Sequence, residues 1–167
     1  MKTIFSLLMP KQATDYIEEG ISLRNVLERF KYHKFSVVPV IDKEGKYKGT
    51  LSEGDLLRYI VELPNFNMAL AEKISIDSIK RYRSYEPLSI NDSLINIFAL
   101  SLDQNFIPLV DDRGLYIGII KRKEIIEYLF EKKMEINDEE VEKWSKKIRI
   151  ARRWIFWNKS WSKRKHG

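Results

Sequence analysis

Val38-Pro39-Val40-Ile41-Asp42-Lys43-Glu44-Gly45-Lys46-Tyr47-Lys48-Gly49 returns further along the chain as Ile107-Pro108-Leu109-Val110-Asp111-Asp112-Arg113-Gly114-Leu115-Tyr116-Ile117-Gly118. At an offset of 69, Pro39, Asp42, Gly45, Tyr47, Gly49, Tyr59 and Glu62 match Pro108, Asp111, Gly114, Tyr116, Gly118, Tyr128 and Glu131, seven identities in 24 ungapped positions. A proline and two glycines kept in register mark a duplication. Upstream the offset slips to 71 and pairs Ser22-Leu23 with Ser93-Leu94. The 167 residues make about one ordinary domain, so the two copies share a single body rather than forming two independent ones.

Each copy reads as β-α-β-β-α. Leu23, Val26, Leu27 and Phe30 fall at i, i+3, i+4 and i+7, an amphipathic helix with Ser22 as N-cap. Phe35 to Ile41 is β-branched, Asp42 to Gly45 a turn, Tyr47 to Leu51 a second strand, and Glu53 to Glu62 a second helix that stops before Leu63-Pro64. Pro39 within the first strand points to an edge position. The second copy predicts a helix over 92–102, a strand over 106–110, a turn over 111–114, a strand over 116–120 and a helix over 121–133. The boundaries are thus 5–62 for the first copy, 63–73 for a linker, 74–133 for the second copy and 137–167 for a C-terminal helix. Met1 to Met9 is too short and too soon followed by acids for a secretory signal, and reads as an amphipathic lead-in.

Charge divides the chain. Residues 143–167 hold ten Lys or Arg and no acid, which leaves 20 basic against 24 acidic residues in 1–142, a net of −4. There is no cysteine and only two histidines, His33 and His166, so thiolate chemistry is excluded and a histidine metal site or triad disfavoured. No nucleotide-binding glycine loop, HExxH or paired nucleophile and base is found. Glu18-Glu19 and Asp111-Asp112 read as turn residues, and His33 as a helix C-terminal cation. A reducing compartment, the cytoplasm, is expected.

Met9-Pro10-Lys11, Tyr32-His33, Val38-Pro39-Val40-Ile41-Asp42, Gly49-Thr50-Leu51-Ser52-Glu53-Gly54-Asp55-Leu56-Leu57, Asn105-Phe106-Ile107-Pro108 and Asp111-Asp112-Arg113-Gly114 together carry a family resemblance. The duplicated unit resembles the CBS domain, and the tandem, over about 5–133, is similar to the small stand-alone CBS-pair proteins of Gram-positive bacteria. The resemblance implies an α/β (α+β) pair of repeats related by a pseudo-twofold axis, commonly dimerising into a disc. It also implies a non-catalytic regulatory module, with an unidentified regulated protein, that binds AMP, ADP, ATP, S-adenosylmethionine or cyclic di-AMP between the repeats.

The family motif Gly-x-x-Ser/Thr-x-x-Asp is complete at Gly49, Ser52 and Asp55. A carboxylate accepts from both ribose hydroxyls, and a hydroxyl at a helix N-terminus sits where phosphate is favoured. The same Ser52-x-x-Asp55 is also an ordinary capping box needing no ligand. The resemblance assigns the base to Ala13, Asp15, Ile17, Phe35, Ser36, Val37 and Pro39, leaves Val38 in the core, and places Thr50 beside Ser52 and Asp55. In the second copy Lys121 and Glu124 replace the motif residues. Lys121 and Arg122, with Lys123, either reach phosphates or form a solvated basic helix start. Asp15 either pairs with a basic side chain or opposes adenine binding.

In the tail, Asn137-Asp138-Glu139-Glu140 starts a helix. Trp144, Ile148, Ile150, Ala151, Trp154, Ile155, Trp157 and Trp161 take about half the wheel, with Lys146, Arg149, Arg152, Arg153 and Lys163 opposite. Such a helix docks on the body or dimerises, lies on an anionic membrane as a peripheral anchor, or binds nucleic acid or an acidic partner. The alternative function is a ligand-free scaffold that acts through this tail.

Overall fold

A computed structural model describes residues 4–34, 36–133 and 138–164. A helical turn, α1 (Ile4–Leu7), and a strand, β1 (Leu8–Pro10), precede the first copy, which runs β2 (Ile17–Glu18), α2 (Leu23–His33), β3 (Val37–Ile41), β4 (Tyr47–Ser52) and α3 (Glu53–Glu62). After α4 (Met68–Lys73) the order repeats as β5 (Leu88–Ser89), α5 (Leu94–Ser101), β6 (Phe106–Val110), β7 (Tyr116–Lys121) and α6 (Arg122–Lys133), and α7 (Asp138–Arg164) follows. Each copy is therefore the β-α-β-β-α unit read from the sequence.

Local chemistry explains why the duplicated residues recur. Ser22 and Ser93 cap α2 and α5 by accepting from the N–H of Asn25 and Asn96. Asp42 Oδ1 accepts from the N–H groups of Glu44 and Lys46, and Asp111 Oδ1 from those of Arg113 and Leu115, all at 2.9 Å. The turn closes only because Gly45 and Gly114 take φ of 84° and 80°, a region costly for side chains. The Leu115 and Arg113 bonds hold the Asp111 carboxyl below the ordinary carboxylate range.

One sheet has the order β2-β3-β4 and the other β1-β7-β6-β5. The lead-in strand β1 therefore belongs to the second copy's sheet, pairing antiparallel with β7. Matching bulges fall at Val40/Ile41 and Leu109/Val110, again 69 residues apart. The two hairpins cross-bond about the pseudo-twofold: Tyr47 N–H donates to Gly114 O at 3.1 Å, and Tyr116 N–H to Gly45 O at 2.9 Å. One apolar core lies under each sheet, and a third cluster of Ile41, Tyr85, Phe106, Tyr116 and Ile119 joins them.

Two expectations are corrected. β3 is central, not an edge, although Pro39 lies in it. Its missing N–H is tolerated because β2 pairs with β3 only at Val40 and Ile41, while Thr50, opposite Pro39, sends its own N–H to Ser84 Oγ instead of across the ladder. The stretch 63–73 is more than a linker: Asn67 caps α4, Ala71 is fully buried, and α4 packs on α2.

The tail docks. Trp144 lies 5.7 Å from the Phe98 ring, Ile148 and Ile155 pack on the second core, and Arg152 makes a two-pronged contact with Asp103 at 2.9 and 3.0 Å. The wheel is divided more finely than the sequence suggests, since Ile150 is 68% and Trp154 60% exposed, whereas Arg152 turns onto the body. Asn137 and the side chains of Trp157, Trp161 and Lys163 lie outside the described residues. Among the described residues no helix is long and apolar enough to cross a membrane.

Candidate functional site

Ser52 and Asp55 form a reciprocal capping box at the start of α3. Asp55 is 1% exposed and its carboxylate is fully engaged. Oδ2 accepts from Ser52 N–H at 3.0 Å and Ser52 Oγ at 2.6 Å, and Oδ1 accepts from Tyr82 N–H at 3.1 Å. The segment 81–86 closes over this motif through further bonds. Arg81 donates to Lys48 O, Thr50 N–H to Ser84 Oγ, Tyr85 N–H to Thr50 Oγ1, and Tyr47 OH to Tyr85 O. Gln104 exchanges amide bonds with the Glu86 backbone. A Cβ at Gly49 would lie 2.4 Å from Ser84 Oγ, so glycine is required there for the close approach of this segment. The complete motif thus clasps the chain's own backbone.

The open cleft lies elsewhere, between the copies. Its cavity of about 470 Å³ is lined by Met9, Ala13, Thr14 and Asp15, by Val37, Val38 and Pro39 of β3, by Asn105 and Phe106, and by Ile119, Lys121 and Lys123. The entering loop of the first copy therefore faces β7 and the start of α6, where Gly118, Lys121 and Glu124 stand in register with Gly49, Ser52 and Asp55. Thr14 Oγ1 and Tyr116 OH, 3.1 Å apart, tie this loop to the second copy. Burial pushes the Tyr116 phenol up to about 12 and the Tyr47 phenol up as well, so both stay neutral at ordinary pH.

The site residues named from the sequence separate accordingly. Ala13, Asp15, Val37, Pro39 and Lys121 come together in the cleft. Thr50, Ser52 and Asp55 sit in the clasp. Ile17 is fully buried in the first core, with no surface for a ligand. Ser36 is exposed and gives its carbonyl to Glu53 N–H. Arg122 donates to Gln104 O rather than into the cleft, and Phe35 lies outside the described residues. Sequence reasoning omitted Met9, Asn105, Phe106 and Ile119. The 69-residue offset contains a signal for three of them, since it maps Ser36, Val37 and Thr50 onto Asn105, Phe106 and Ile119.

Val37, Val38, Pro39, Phe106 and Ile119 give the cleft an apolar lining suited to a planar base. The exposed Lys121 and Lys123 supply compact cationic heads that suit phosphate. Asp15 Oδ1 lies 3.7 Å from His33 Nδ1 at a neighbouring hollow of about 420 Å³, which Thr14, Tyr16, Glu18, Ile21 and Arg29 also line. Among the described residues no three His, Asp or Glu cluster to hold a metal ion.

Residues 10–62 match the family model of the CBS domain. A crystal structure of CbpB in complex with c-di-AMP superposes with a TM-score of 0.70 at 25% identity, covering 83% of this chain and 91% of that one. The chain carries a CBS domain at 10–62 and folds as a CBS pair. An uncharacterized protein of Methanocaldococcus jannaschii is 27% identical over 143 residues, 68% of this CBS pair and 84% of the relative. The fold is also that of CBSX2, solved in complex with AMP, with a TM-score of 0.60 at 24% identity over 80% of this chain and 99% of that one. The second CBS repeat follows from the duplicated element order, paired bulges and cross-bonded hairpins rather than from the family model.

Proposed function

We propose that this CBS pair is a non-catalytic, cytoplasmic sensor whose inter-repeat cleft takes an adenosine phosphate. The observation that carries this reading is the conjunction of an apolar lining with two exposed lysines in one cavity of about 470 Å³ between the copies. The base packs against Val37, Pro39 and Phe106, and the backbone of the loop at Ala13 to Asp15 offers it polar edges. Lys121 and Lys123 meet phosphate charge, with Lys121 standing where the first copy carries the Ser52 hydroxyl. CbpB with c-di-AMP and CBSX2 with AMP support the ligand class.

A homodimer fits the same reading. Leu57 and Val61 on α3 are 63% and 75% exposed, and their counterparts 69 residues on, Ile126 and Phe130 of α6, are 45% and 69% exposed. Apolar residues left outside at matching positions of both repeats form a self-complementary surface for a second copy.

Calorimetry and thermal shift with cyclic di-AMP, AMP, ATP and S-adenosylmethionine test the ligand. At a hundredfold excess over Kd the bound form gains about 2.7 kcal/mol, a shift of about 5–10 °C for a chain this size. Lys121→Ala with Lys123→Ala should weaken phosphate-bearing ligands by about tenfold or more. Absence of any shift across the set, or full affinity in the double variant, removes the proposal.

A further inference from the structure

We propose that the outer face of α7 is a docking surface for an anionic lipid bilayer, used while the helix stays packed on the body. This inference is independent of the cleft. The helix carries two apolar stripes, not one. Trp144, Ile148, Ala151 and Ile155 recur at i, i+4, i+7 and i+11, and of these Trp144, Ile148 and Ile155 pack on the second core. Ile150 and Trp154 open a second stripe about 120° round the helix at 100° per residue, and the same spacing continues in sequence to Trp157 and Trp161. Docking leaves the second stripe outside, with Ile150 68% and Trp154 60% exposed.

Charge complementarity selects the occupant. Lys147 falls on one side of the outer stripe and Lys146 and Arg153 on the other, and no acid follows Glu142, which itself pairs with Lys146 at 2.8 Å. An exposed apolar stripe opened by Ile150 and Trp154, with cationic margins, is the surface that lies in a headgroup layer: the aromatic and aliphatic side chains enter the acyl boundary and the ammonium and guanidinium groups meet phosphate. A second copy of the same helix would bring like charges together. A nucleic acid would satisfy the cations but offers no continuous apolar plane to Ile150.

The test uses the full chain and vesicles of phosphatidylcholine with or without phosphatidylglycerol. Flotation should recover the protein with the anionic vesicles and not the neutral ones, less so as salt is raised, with Trp emission moving to the blue. Ile150→Ser with Trp154→Ser, at exposed positions, should keep the melting temperature and weaken vesicle binding by about tenfold or more. Equal recovery with neutral vesicles, or a double variant that binds as the parent does, overturns the proposal. Tighter binding to duplex DNA than to anionic vesicles, insensitive to the double variant, overturns it in favour of nucleic acid.

Discussion

Replacing Asp55 by alanine separates the two roles open to the complete motif. The carboxylate accepts three bonds, from Ser52 N–H, Ser52 Oγ and Tyr82 N–H, and is 1% exposed. Hydrogen bonds to a charged acceptor contribute about 1.5–3 kcal/mol each, and three that share one group do not add. The loss of the α3 cap and of the Tyr82 tie, offset by removal of a buried charge, amounts to about 3 kcal/mol. For a domain of this size that is a fall of about 6–12 °C in melting temperature. Urea unfolding followed by circular dichroism gives the free energy, and calorimetry on the same sample gives the affinity for cyclic di-AMP. Asp55→Ala should be markedly less stable and keep its affinity within about twofold, with Asp55→Asn between it and the parent in stability because one acceptor oxygen remains. A variant that melts within a degree or two of the parent yet no longer binds nucleotide would refute the clasp and restore Asp55 as a ribose ligand.

Alkaline pH should loosen the joint between the repeats: the Tyr116 phenol is raised to about 12 in the fold against about 10 when unfolded, so the folded state holds its proton longer. Its contribution, about 2–3 kcal/mol, is whole below pH 10 and lost as pH rises to 12, and denaturant titrations across that range should become shallower in Tyr116→Phe, with the remaining slope carried by the Tyr47 phenol, which burial also raises. Trp144→Ala removes the ring against Phe98 and should cost about 2 kcal/mol, below the range for fully buried tryptophans because this one is half-buried, and should hasten tryptic cleavage within α7. Val61→Glu with Phe130→Glu should convert a dimer to monomer in light scattering without lowering nucleotide affinity.

The fold was legible because its signals are local and doubled. A turn aspartate with its glycine, a serine cap before a 3.6-period apolar run and a β-branched strand each appear twice at one offset, and each states its own backbone geometry. What escaped was set by contacts distant in sequence. β1 joins the second copy's sheet, and Pro39 is tolerated centrally because Thr50 bonds to Ser84, 34 residues away. The α4 segment offered Asn67 as a cap and a short run of helix formers, but six residues carry little periodicity. The site was half legible for the same reason. The motif residues at 49–55 were found, yet that the backbone of 81–86 engages them depends on bonds across 27–35 residues. Likewise a helical wheel sums all apolar positions into one face, and only the partner helix α5 reveals that Trp144 and Trp154 belong to different stripes.

The measurement that bears most directly on the cleft is photocrosslinking with an 8-azido adenosine nucleotide, followed by mass spectrometry of the labelled peptides. Label should appear on the segments 9–15, 37–39 and 105–106, and be displaced by the unlabelled nucleotide. Label on 49–55 or 81–86 instead, or label that excess nucleotide does not displace, contradicts the assignment of the ligand to the open cleft.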